Sequence, residues 1–161
     1  MSAALTEYPR RKVVLLIDDP PNPAEPEPAG QLANMRELVC EINMLMQVQE
    51  RRYKSELAAF ERRRVRGRLD LPAEARRIAR AYISIARWFE EQAATHRIRD
   101  HYDVLYVERI LREPAQEHRR RSKELEILGQ EGRLTRKRLQ CEYRRIAALF
   151  AVEVTSFERK R

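Results

Sequence analysis

Helix breakers are confined to one end of this chain, and that distribution constrains the fold more than any other feature. Six of the eight prolines fall within the first 28 residues, and only four glycines occur among 161 residues. Beyond residue 30 the backbone meets Gly67, Pro72, Pro114, Gly129 and Gly132, and little else that disfavours helical hydrogen bonding. A chain of this length supports one modest core. The expected fold is therefore all-α: a bundle of four to six helices over 31–161, with an extended, proline-rich arm over 1–30.

Periodicity places the helices. Leu32, Val39, Met46, Tyr53 and Phe60 recur every seven residues, with Met35 and Ile42 between them and Leu38 and Leu45 alongside. Gln49 and Glu56 then interrupt the seam, which favours one long arm of a helical hairpin over a sustained coiled coil. Met35, Met44 and Met46 give that helix a pliable surface, so residues 31–60 are a candidate protein-binding element. In ERRRVRGRLDLPAEA, Gly67 suits the end of one helix, while Asp70 and Pro72 suit the cap and first turn of the next. Ala75, Ile78, Tyr82, Ile85 and Phe89 then form an apolar face, opposed by a stripe of Arg76, Arg80 and Arg87. Trp88 stands beside the apolar face and reads as packing.

THRIRDHYDV reads as a bend, with Asp100 and Asp103 as caps. A short helix over 104–112 is expected to stop before Pro114, and AQEHRRRSKELEIL to form another, ended by GQEG. In the last segment Leu139, Tyr143, Ile146, Phe150 and Phe157 keep helical spacing.

That last segment, RRIAALFAVEVTSFERKR, also resembles the core of bacterial helix-turn-helix modules. The resemblance implies a first helix over 143–150 and a recognition helix over 154–161, and so a small DNA-binding regulator. It departs from the pattern where the turn normally has glycine, since this chain has Ala151, and where the recognition helix normally has a serine-like cap, since this chain has Glu153. Alanine and glutamate are residues that a continuous helix would choose, so the expectation is one uninterrupted basic helix.

In the arm, PPNPAEPEPAG has the composition of an extended linker. The run before it, KVVLLIDD, resembles the opening strand of a receiver domain, in which paired acids after the strand bind magnesium. Here a proline linker and helices follow in place of further strands, so Asp18–Asp19 reads as the solvated end of a strand. Val13, Val14, Leu15, Leu16 and Ile17 form a strand that either packs on its own bundle or adds to a sheet edge of a partner protein.

Charge supplies the functional expectation. The formal net charge is +8, with segment 51–80 at +7 and segment 115–161 at +6. Of 33 basic residues 28 are arginine, whose planar fork suits phosphate and carboxylate. The clusters are Arg62, Arg63, Arg64, Arg66 and Arg68; Arg76, Arg77 and Arg80, with Arg87 on the same face; Arg119, Arg120, Arg121 and Lys123; and Arg133, Arg136, Lys137 and Arg138. Any one cluster is explained by a solvated, Glu-balanced surface. Together they point to phosphate-backbone contact with RNA or DNA, in which each contact releases counterions regardless of sequence.

Enzymatic chemistry is not expected. Glycine-rich phosphate loops, H-E-x-x-H and C-x-x-C are all missing, and His96, His101 and His118 form no recognisable pair in sequence. No cofactor or metal is called for, although Cys40 and Cys141 with histidines could be imagined around zinc. Two distant cysteines make no disulfide framework, and the opening residues make no secretory signal, so a cytoplasmic location is expected. No apolar run is long enough to span a membrane. The function expected is a non-enzymatic helical subunit of a nucleoprotein assembly, with protein partners in a larger complex. Small helical subunits of CRISPR surveillance complexes are similar in size, class and charge. A helical adaptor or chaperone built on 31–60 is the alternative from another class.

Overall fold

The computed structural model describes residues 11–17 and 29–159. The proline linker and the Asp18–Asp19 pair lie outside the described residues, as do the side chains of Leu15, Leu16 and Ile17. The chain forms strand β1 (Arg11–Ile17), helix α1 (Ala29–Val65), helix α2 (Leu71–Thr95), helix α3 (101–130), helix α4 (Arg136–Leu149) and strand β2 (Val152–Arg159). It is a bundle of four helices with a small two-stranded sheet.

The helix ends follow local chemistry. After α1, Gly67 takes φ +67°. Its N–H donates to Arg64 O while Arg68 N–H donates to Arg63 O, closing the last turn on itself. Gly132 ends α3 the same way, with φ +67° and a 2.8 Å bond from Arg133 N to Leu128 O. Asp70 caps α2 by accepting from Ala73 N, and Pro72 sits in its first turn. Asp100 and Asp103 form a reciprocal capping box at the start of α3. Each of these ends was expected from the residues present.

Pro114 behaves otherwise. The expected break before it does not occur; α3 passes through as a π-helical stretch, Tyr106–Arg112, between α-helical stretches His101–Leu105 and Glu113–Gln130. Proline lacks a donor and crowds the preceding turn, and the wider π turn makes room for it. The neighbouring Glu113 N–H bonds back to Glu108 O, five residues earlier. Two expected helices thus become one.

The C-terminal segment is the larger correction. The uninterrupted helix expected to the end of the chain stops at Leu149, and Val152–Arg159 is a strand parallel to β1. The recognition helix implied by the helix-turn-helix resemblance is therefore not there either. Beyond Ala151 the residues alternate with period two: Val154 is buried and Val152 half-buried, while Glu153 and Thr155 are exposed. β-Branched residues at that spacing suit a pleated, one-sided surface, and the tertiary partner overrides helix propensity. That partner is β1, so the apolar arm finds its strand neighbour within its own chain. The register shifts between Val13 and Val14, where the Thr155 hydroxyl donates to Val13 O at 3.2 Å. On its other edge β2 meets α1. The Asn43 amide both donates to Val154 O and accepts from Val154 N, each at 2.8 Å, and so substitutes for a third strand.

In the core, α2 packs along the last stretch of α3, while α1 is covered by α4 and β2. The α2–α3 approach is close enough that a Cβ on Gly129 would lie 2.6 Å from Ala75 Cβ. Aromatic rings join the layers. Tyr53 stacks on Phe150 at 5.4 Å and Phe60 on Tyr143 at 4.4 Å, linking α1 to α4 and the residue that follows it. His118 lies between Tyr82 and Phe89, linking α3 to α2. The expected α2 face of Ala75, Ile78, Tyr82, Ile85 and Phe89 is wholly buried. On α1 the buried line runs Leu38, Ile42, Met46, Tyr53, Leu57 and Phe60, leaving Met35 and Val39 half-buried at its edge.

Candidate nucleic-acid interface

The structure divides the sequence-predicted arginines into three populations. One is drawn inward by buried carboxylates. Arg63 forms a two-pronged ion pair with Glu74, at 2.6 and 3.0 Å, and the same carboxylate accepts from Tyr143 Oη at 2.9 Å. Arg64 pairs with Glu61, which also accepts from Gln140. Arg138 bonds Glu142 and Glu124, and Glu142 accepts from Tyr82 Oη at 2.6 Å. Glu61, Glu74 and Glu142 are each under 5% exposed, so these arginines neutralise charges that the bundle has taken out of water. The hydrogen bond to Glu74 holds the Arg63 guanidinium above its ordinary pKa. Burial pushes the Tyr82 and Tyr143 phenols far up, and the neighbouring carboxylates add to that.

Further along the surface Arg119 pairs with Glu90, Arg120 and Arg121 with Glu117, and Arg133 with Glu131. Arg77 reaches Glu74 only at 4.0 Å.

The third population has no such partner. Arg62, Arg66, Arg68, Arg76, Arg80, Arg87, Lys123, Arg136 and Lys137 are exposed and form no ion pair among the described residues. Of these, the fold gathers Arg76, Arg80 and Arg87, the stripe of α2. They line an open groove of about 720 Å³ together with Arg52 from α1, Trp88 and Ser84 from α2, and Ser122 from α3. A second hollow of about 640 Å³ adjoins it, sharing Arg52, Arg76, Arg80 and Ser84 and adding Arg77. Arg52 spans the two, donating to Ser84 Oγ at 3.3 Å. Glu91 and Glu126 line the first hollow and Glu56 the second, so five arginines face three glutamates. The basic side chains at 62–68, at 119–123 and at 133–138 are not part of this lining.

Arg52 and Trp88 were not read from the sequence as site residues. Each immediately precedes a buried aromatic of its helix, Tyr53 and Phe89, and so stands at the margin of a packed face. That adjacency is the one local signal, but which margins meet depends on how α1 and α2 cross.

Two of the histidines are held by groups that the fold brings to them. His96 Nε2 lies 2.6 Å from Asp103 Oδ1, and Asp103 is fully buried. Burial alone would raise the Asp103 pKa. Hydrogen bonds from His96, from the Arg99 side chain and backbone, and from Asn34 outweigh it and hold the carboxyl well below the usual range. This cluster ties α1 to the start of α3. Burial, aided by the Arg121 cation, lowers the His118 pKa to about 4. Cys40 and Cys141 are exposed free thiols, and no group of three or more candidate metal ligands occurs among the described residues. No described helix is long and apolar enough to cross a membrane.

No protein-family model, no curated protein and no solved structure matches this chain. Its class is thus defined by the fold and the groove alone: a basic four-helix bundle with a terminal strand pair and an arginine-lined concavity.

Proposed function

We propose that the protein is a non-enzymatic, basic helical subunit that holds nucleic acid by its phosphate backbone, within a larger nucleoprotein assembly. One observation carries the reading: Arg52, Arg76, Arg80 and Arg87 converge on a single groove while none is spent on a carboxylate. Guanidinium forks pair with phosphate oxygens, and the rigid α2 helix fixes their spacing at about 1.5 Å per residue. Protein partners complete the assembly; the arm strand and the outer face of α1 are the surfaces open to them.

The test is fluorescence anisotropy against scrambled-sequence RNA and duplex DNA over a salt series, comparing the wild type with a triple variant, Arg76→Gln, Arg80→Gln and Arg87→Gln. The wild type should bind with a steep log–log salt slope. The variant should weaken all sequences alike and lower the slope by about 0.7–0.9 per lost contact. Equal affinity and slope in the two proteins would overturn the groove as the binding surface.

A second reading has one observation of its own. On α1, Met44 is 69% and Val48 66% exposed, beside exposed Cys40 and a shallow apolar hollow that also includes Ala33 and Leu45. Such a strip favours a protein contact on the methionine-rich helix, the adaptor alternative. Binding to polyanions absent at all salt concentrations would move the function there.

A further inference from the structure

We infer that the arginine groove takes a single strand rather than a duplex, with Trp88 as the surface on which a base stacks. The inference rests on the nucleic-acid reading above and narrows it to a substrate class.

Trp88 is the only tryptophan of the chain, and it lines the groove among Arg52, Arg76, Arg80 and Arg87. Sequence position alone makes it a packing residue. It does pack, with its ring plane steeply inclined to those of Phe89, at 4.9 Å and 68°, and Phe150, at 6.0 Å and 85°. Both phenylalanines are buried, so the indole is oriented before any ligand arrives and little ordering cost falls on binding. Trp88 itself stays half-buried.

The surroundings argue for a strand with accessible bases. A duplex is a convex rod whose bases face inward, so it offers phosphates to the arginines and nothing to the indole. A single strand offers both, and an aromatic platform beside a cationic track is how such strands are held without reading sequence. Along α2, Arg76, Arg80 and Arg87 stand about 6 Å and 10.5 Å apart in rise, a line of charge that ends beside Trp88. Glu91 and Glu126 share the lining, which weakens the purely electrostatic term and leaves stacking a larger share of the affinity.

The sole tryptophan is also the reporter. Its emission is followed while the full-length protein is titrated with oligo(U), with oligo(dT) and with a duplex of equal length, at low salt. Saturable quenching by the single strands, with the duplex binding more weakly and leaving emission unchanged, is the expected result. The two single-strand arms separate an RNA preference from a DNA one. Trp88→Leu keeps apolar contact with Phe89 and Phe150 and should lose about ten-fold or more in single-strand affinity. Its salt slope should stay that of the wild type, unlike that of an arginine variant. Single strands that bind without altering emission, or a duplex bound equally well, would overturn stacking while leaving backbone contact intact. Failure of all three polymers to bind at low salt would remove the backbone-holding reading itself, and this inference with it. Quenching is read on the wild type, so its outcome does not depend on how the variant folds.

Discussion

Arg63 and Arg80 belong to the same +7 segment, yet they stand in opposite circumstances. Arg63 lies on the inner side of the α1 terminus, where it closes on a carboxylate that is 4% exposed and shares it with a buried tyrosine. Arg80 lies on the outer stripe of α2, with no acidic partner among the described residues and a groove in front of it. The first arginine is a structural counterion, and removing either member of its pair strands the other. The second is exposed and held by no ion pair among the described residues. Composition could not separate them, because both are arginines in one basic stretch. The difference lies in whether a buried glutamate faces them.

Three measurements bear on that contrast. The largest effect is expected from Glu74→Ala, which leaves the Arg63 guanidinium and the Tyr143 hydroxyl without their shared acceptor. A loss of about 3 kcal/mol in urea unfolding is the expectation. A change below about 1 kcal/mol, the range of exposed pairs, would place Arg63 with the outer arginines. It would also free Arg63 to act with the exposed Arg62 and Arg66 as one surface.

Next in size is a pH effect centred on His118. Its folded pKa is about 4, below the ordinary 6.5, so the unfolded chain binds the extra proton first. Stability should be intact above pH 6.5 and decline as the pH falls from 6.5 towards 4, by about 2–3 kcal/mol in all. His118→Phe retains a ring between Tyr82 and Phe89 and should flatten the curve in that window. Asp103 acts in a separate window. Its folded pKa is depressed, so its contribution is complete above the usual carboxylate range and is lost only in stronger acid. A profile in His118→Phe as steep as in the wild type would shift the titration to another group.

The smallest stability effect should come from the outer stripe. Arg76→Gln, Arg80→Gln and Arg87→Gln should each alter unfolding free energy by about 0.5 kcal/mol or less, as for surface positions without ion pairs. Losses above about 1 kcal/mol would mean that the stripe is structural after all, and the contrast with Arg63 would collapse.

Much of the scaffold was legible because its signals are local. Gly67, Asp70, Pro72 and Asp100 act within a turn of their own position, and the α2 face from Ala75 to Phe89 repeats at the helical period. Two departures share one cause. Intrinsic preference alone ends a helix at Pro114 and continues one through Ala151. Instead a π turn accommodates the proline, and a distant strand recruits the valines after Ala151. In the site, the α2 stripe was visible as a pattern, while Arg52 and Trp88 were not, since their neighbours in space come from other helices.

The sequence by itself determined that this chain is helical, where most of its helices begin and end, and that its surface is basic. Those properties follow from backbone sterics, side-chain period and charge, which act over a few residues. Only the tertiary structure decided that the C-terminal valines pair with the arm and which arginines sink onto buried glutamates. It alone brought Arg52 of α1, the stripe of α2 and Trp88 into one groove. Those outcomes depend on which surfaces are desolvated against each other, and desolvation is set by contacts between residues far apart in the chain.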